Sequence, residues 1–185
     1  MLEYSDIANT NRGEFAICGS SADPADPSND PKDAAEWSPG RNLSAAVVRW
    51  LETSPAAIQL EDPGGIRLLG ANMVGQLNLE DLKIPFAIVM RKSHIQERLR
   101  LAGTDLPLLD LGGSYVSELD GSGLIVHRDL ILGDGFDASG ESRLDHARIG
   151  GNLDCHGGPF SHSPAGMEFW EDPDCSYDFS HTQIV

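Results

Sequence analysis

A short apolar alternation returns along most of this chain, and its spacing constrains the fold more than any other feature. The unit is a small or apolar residue, any residue, an apolar residue, three variable positions, then apolar-x-apolar. Ala71-x-Met73 leads to Leu77-x-Leu79, Leu82-x-Ile84 to Ile88-x-Met90, and Ser93-x-Ile95 to Leu99-x-Leu101. Thr104-x-Leu106 leads to Leu109-x-Leu111, Ser114-x-Val116 to Leu119-x-Gly121, and Leu124-x-Val126 to Leu130-x-Leu132. Phe136-x-Ala138 and Ala147-x-Ile149 open two more units, and Gly158-x-Phe160 begins a ninth. Unit starts fall at 71, 82, 93, 104, 114, 124, 136 and 147, 10 to 12 residues apart. Residues two apart share one side of a strand, not of a helix. Two tiny strands and two turns per unit make two sides of a rectangle. Two units therefore close one coil of about 21–22 residues, and the region folds as a β-solenoid of about four coils. At ~4.8 Å between stacked strands it is a short rod, about 20 Å long.

The flanks read differently. Residues 1–62 form an N-terminal segment, 63–160 the solenoid, and 161–185 an acidic tail or cap. Residues 21–33 repeat Asp-Pro, which blocks helix and sheet alike, so they form a loop or linker. Ser38-Pro39 carries a helix-start signature. Leu43, Ala46, Val47, Trp50 and Leu51 follow at the spacing of one helical stripe. The expectation is a helix over about 39–52 that caps the first coil, with Trp50 in the core. Without a cap, exposed strand edges invite stacking of other chains. At the far end, tail residues Met167, Phe169, Trp170, Tyr177 and Phe179 are candidates to cover the last coil. Otherwise a homodimer through a solenoid end is expected.

Charge narrows the function classes. The formal net charge is −16, which opposes direct nucleic-acid backbone binding. It is uneven: residues 1–62 carry −7, 63–160 only −4, and 161–185 carry −5 with no base. No apolar run approaches the ~20 residues of a membrane span. Three scattered cysteines, Cys18, Cys155 and Cys175, do not make a disulfide framework and point to a reducing cytoplasm.

The small-x-apolar steps Ala71-Asn72-Met73, Thr104-Asp105-Leu106 and Ala147-Arg148-Ile149 resemble the pentapeptide-repeat superfamily. That resemblance implies a right-handed quadrilateral β-helix. The stretches 23–31, 36–41, 65–71 and 147–155 further resemble a set of bacterial repeat proteins, some labelled membrane-associated oxidoreductase. The residues themselves show no Cys-x-x-Cys and no Gly-x-Gly-x-x-Gly opening a helix, so no cofactor is expected.

Candidate surface residues follow from stacking every second unit. The middle residues of the L-x-L steps point outward in two ladders. One reads Arg67, Val89, Asp110, Ile131, Asp154; the other reads Asn78, Arg100, Asp120, Arg143. A cross-strand charge ladder explains the second, with Asp120 between Arg100 and Arg143. Arg91, Lys92, His94, Arg98 and Arg100 form the one basic cluster along the sequence. Together with Asp120 and Arg143 they are the candidate partner-binding surface. The paired glycines fit corner turns. Gly133-Asp134-Gly135-Phe136-Asp137 lacks the nine-residue period of a calcium-binding β-roll. Cys155 takes an inward position, and Cys155, His156, His162, Cys175 and His181 offer no close ligand pair for zinc. Asp110 and Asp154, the carboxylates a glycan enzyme would pair, are separated by Ile131.

The sequence thus leads to a cytoplasmic, non-catalytic protein-binding or scaffolding module with an unknown protein partner. Two other classes stand beside it. A DNA-mimic modulator of a topoisomerase is implied by likeness to gyrase-protecting pentapeptide proteins. An oxidoreductase is implied by the inherited label alone.

Overall fold

The structure is a computed structural model that describes residues 14–55, 65–158, 177–178 and 182–184. It is mainly β: four parallel sheets form the sides of a solenoid of about four turns. Sheet A stacks β1 (Ala16–Ile17), β3 (Ile66–Leu69), β5 (Ile88–Arg91), β9 (Leu109–Asp110), β13 (Leu130–Ile131) and β17 (Leu153–Asp154). Sheet B stacks β2 (Asn42–Ser44), β4 (Asn72–Val74), β6 (His94–Ile95), β10 (Tyr115–Val116) and β14 (Asp137–Ala138). Sheet C holds β7 (Leu99–Arg100), β11 (Leu119–Asp120), β15 (Ser142–Arg143) and β18 (Tyr177–Asp178). Sheet D holds β8 (Asp105–Leu106), β12 (Ile125–Val126), β16 (Arg148–Ile149) and β19 (Gln183–Ile184).

Registers place the repeat as the periodicity predicts. Ile88 pairs with Leu109, Leu109 with Leu130, and Leu130 with Leu153 on sheet A. Met73, Ile95, Val116 and Ala138 align on sheet B. The L-x-L steps therefore build sheets A and C, and the small-x-apolar steps build B and D. The inward residues merge into one apolar core running the length of the rod. The sheets also recruit strands from both flanks. β1 and β2 extend A and B at one end, and β18 and β19 continue C and D at the other. Within the tail, Met167, Phe169, Trp170 and Phe179 lie outside the described residues.

The corners that follow sheets A and C take a left-handed residue. Between sheets C and D it is Asp81, Gly103, Gly123 and His146 in successive coils, all with φ between 56° and 67°. The hydroxyls beside the corners satisfy backbone groups that the turns free. Ser114 is fully buried; its Oγ donates to the Met90 carbonyl at 2.6 Å and accepts from the Ser93 N–H at 3.0 Å.

The capping helix differs from the expected one. Pro39–Arg41 is a single 3-10 turn, Asn42–Ser44 is the strand β2, and the helix α1 runs Ala45–Thr53. Ser44, not Ser38, is the α-helix cap: its Oγ accepts from the Ala46 N–H at 3.3 Å. Pairing with β4 takes Leu43 into the core as a strand residue, which rotates the helix stripe. Ala45, Val48 and Leu51 are buried, while Ala46 is exposed and Trp50, expected in the core, is 45% exposed.

The Asp-Pro segment, a loop or linker in the sequence reading, wraps on the body. Each aspartate caps the turn that its proline opens: Asp26 accepts from the Ser28 N–H at 2.9 Å, and Asp30 from the Lys32 N–H at 3.0 Å. The resulting 3-10 helices, Pro27–Asn29 and Pro31–Glu36, form a strap, and the second packs against β6. Among the described residues, no helix is long and apolar enough to cross a membrane.

Candidate functional site

Parallel in-register stacking turns each outward position into a column. On face C, Asn78 aligns with Arg100, Arg100 with Asp120, and Asp120 with Arg143, so the expected ladder is present. Its bonding is different. Arg100 reaches Glu80 Oε1 at 2.7 Å, Arg143 reaches Glu141 Oε2 at 2.6 Å, and Arg98 pairs with Glu118. Asp120 accepts instead from the Ser122 hydroxyl at 2.9 Å. Glutamates at the strand ends capture the guanidiniums before the in-column aspartate does. The Glu141 carboxylate holds Arg143 above its ordinary pKa. The Ser122 hydroxyl holds Asp145 below its own. Face C therefore carries arginines and carboxylates interleaved along in-register strands.

The basic cluster does not stay together. Arg91 lies on face A, Lys92 at the A–B corner, His94 on face B, and Arg98 and Arg100 on or beside face C. One coil wraps the rod, so neighbours in sequence are dealt to different sides. Of the candidate surface residues, Arg98, Arg100, Asp120 and Arg143 share a side.

Face A departs from the outward ladder. Val89 and Asp110 are buried, at 5% and 3% exposure. Asp110 accepts from Arg91 Nε at 2.8 Å and from the Gly112 N–H at 2.9 Å. A carboxylate already satisfied by a guanidinium and a backbone amide is a structural group, so an Asp110–Asp154 catalytic pair is not formed. On face D, Asp105 binds His127 Nε2 at 2.7 Å and lies 3.6 Å from Lys83.

Sequence reasoning missed face B. Asn72, His94, Tyr115 and Asp137 form a column there. Asn72 donates from Nδ2 to Asn42 Oδ1 at 2.8 Å, which fixes its Oδ1 as an acceptor. That oxygen takes Gln96 Nε2 at 3.0 Å and His94 Nδ1 at 3.1 Å. The His94 and Tyr115 rings stack with centroids 5.5 Å apart and 6° between planes. Burial holds His94 below the usual histidine pKa. Above this column lies the strap, tied at Lys32 to Asp137 Oδ2 at 3.0 Å. Its other end is held by Arg41, buried and stacked 4.3 Å over Trp37. Arg41 donates to Asn29 Oδ1 at 3.1 Å, the Ser28 carbonyl at 2.8 Å and the Gly70 carbonyl at 3.3 Å. Stacking the middle residue of each small-x-apolar step would have revealed the column.

A cleft of about 310 Å³ remains between the strap residues 24–32 and the corner at Lys92, Gly113 and Gly135. Lys92 itself has φ 49°, and its Nζ donates to the Asp134 carbonyl at 3.1 Å. A larger, shallower hollow of about 570 Å³ lies inside the strap, around Cys18, Trp37 and Arg41. Burial pushes the Cys18 thiol up to about 11 and the Cys155 thiol up to about 12. Both are the reverse of an activated thiolate. Among the described residues, no three His, Cys, Asp or Glu side chains gather as a metal-binding group, and His162, Cys175 and His181 lie outside them.

The comparisons add no relative: no family model, curated protein or solved structure matches this chain.

Proposed function

We propose that the protein is a non-catalytic protein-binding or scaffolding module of the pentapeptide-repeat-like kind, with face C as its docking surface. One observation carries this reading. Arg100, Asp120 and Arg143 stand on in-register strands, Arg98 sits just before the first of them, and Glu80, Glu118 and Glu141 are interleaved among them. Such a lattice offers a partner fixed charges at a fixed spacing. Exposed charges of this kind add specificity and association rate more than raw affinity.

The interleaving disfavours a topoisomerase-directed DNA mimic, which needs an unbroken acidic stripe. On face C each of Glu80, Glu118 and Glu141 is paired with an arginine. The raised thiol pKa values of Cys18 and Cys155 lend nothing to the oxidoreductase label.

The test is an affinity pull-down from host lysate. The expected result is a near-stoichiometric protein partner, lost with Arg100→Glu and kept with Lys83→Glu on face D. Recovery of no partner overturns the reading. Inhibition of gyrase supercoiling at low protein concentration would move the assignment to the DNA mimic.

A further inference from the structure

We propose that the strap over face B is a proton-sensitive latch that opens from its Lys32 end. The two ends of the strap are held very differently. At one end, the buried Arg41 fork binds Asn29, Ser28 and Gly70, so opening there would strand a buried guanidinium. At the other, the Lys32–Asp137 pair is the tie, and its side chains are 62% and 34% exposed. Exposed pairs of that kind contribute little and are screened by salt. The 310 Å³ cleft lies at this same weak end, so strap and corner are already parted there.

Beneath the strap sits the group that senses protons. Asn72 Oδ1 is committed as an acceptor, so the neutral His94 ring carries its proton on Nδ1. A second proton must go to Nε2. The titratable groups on the elements around it are Asp30, Lys32, Asp33 and Glu36 of the strap, Tyr115 on β10, Asp137 on β14, and Arg91 and Lys92 leading into the corner. Asp137 is already bound to Lys32. Among the described residues none of these carboxylates bonds the imidazole, whose ring nitrogen meets Asn72 instead, and burial lowers its proton affinity. Charging His94 under the packed strap is therefore unfavourable, and lifting the strap lets water solvate the imidazolium.

Hydrogen exchange followed by mass spectrometry on the full chain tests this, at pH 7.5 and pH 5.5 with rates corrected for intrinsic exchange. Peptides covering 27–36 are expected to exchange at least about fivefold faster at the lower pH, with those covering β11 unchanged. Lys32→Met should speed strap exchange at both pH values. His94→Gln should abolish the pH dependence. As a readout that needs no variant, the His94 ring signal in NMR should titrate in step with the strap amides. Strap exchange that is indifferent to pH, or a pH response that survives in His94→Gln, overturns the latch.

Discussion

Single residues decide whether a coil closes. Gly121 occupies an inward position that most other units fill with leucine. A Cβ there would meet Leu144 Cδ2 at 2.7 Å. The leucine one coil on has grown into the space the glycine leaves. Gly121→Ala is expected to lower stability by about 1–3 kcal/mol, read as a fall in the denaturant midpoint with the slope unchanged. Ser114 makes the complementary case. Ser114→Ala leaves the Ser93 N–H and the Met90 carbonyl without their buried partner. The expected cost is about 1–3 kcal/mol by the same measurement. The unit opening at Phe136 exchanges sizes rather than losing them. A fully buried phenylalanine takes the small slot, while Ala138 and Ser142 take the large ones.

At the scale of elements, the strap behaves as a part with its own stability. Arg41→Met removes three hydrogen bonds and the stacking on Trp37. Exchange across 14–41 should rise at least tenfold, while β7 and β11 keep their protection. The pH dependence has a definite sign. His94 has a lower pKa in the folded chain than in the unfolded one. Below the unfolded histidine pKa of about 6.5, the unfolded state therefore binds more protons. Its contribution is fully present above that value and is lost as pH falls from there through the folded pKa. Thermal melts should show a drop in Tm between about pH 7 and pH 5, absent in His94→Gln. The cap of α1 is a smaller lever: Ser44→Ala should cost about 1 kcal/mol, read from the same melts.

For the whole molecule, neighbouring coils are the unit of cooperativity. The coil from Phe136 to Cys155 has the poorest interior: Ser142 is buried with no hydrogen-bond partner for its Oγ among the described residues, and Leu153 and Cys155 are only partly covered. Unfolding is expected to begin there. Amides of β15 and β17 should exchange faster than those of β7 and β9 under native conditions. Equal protection along the rod would show instead that the flanking strands make the molecule one cooperative block.

The sequence by itself determined the rod. A period-2 apolar pattern repeated every 10 to 12 residues is buried when two units close a coil and the coils stack, so core and registers were legible. The face C column of Asn78, Arg100, Asp120 and Arg143 followed from the same arithmetic. What only the tertiary structure decided was everything that depends on wrapping. Basic residues adjacent between 91 and 100 part onto three faces because one coil turns between them. Asp120 lies between two arginines and binds neither, because Glu80 and Glu141 reach them first. Trp50 faces outward because Leu43 joins a strand and turns the helix behind it. The Asp-Pro segment becomes a strap because Arg41, distant in sequence from Gly70, finds its carbonyl in space. Periodicity reports which side of a strand a residue takes; it carries no information about which partner, one coil away or across a corner, wins its charge.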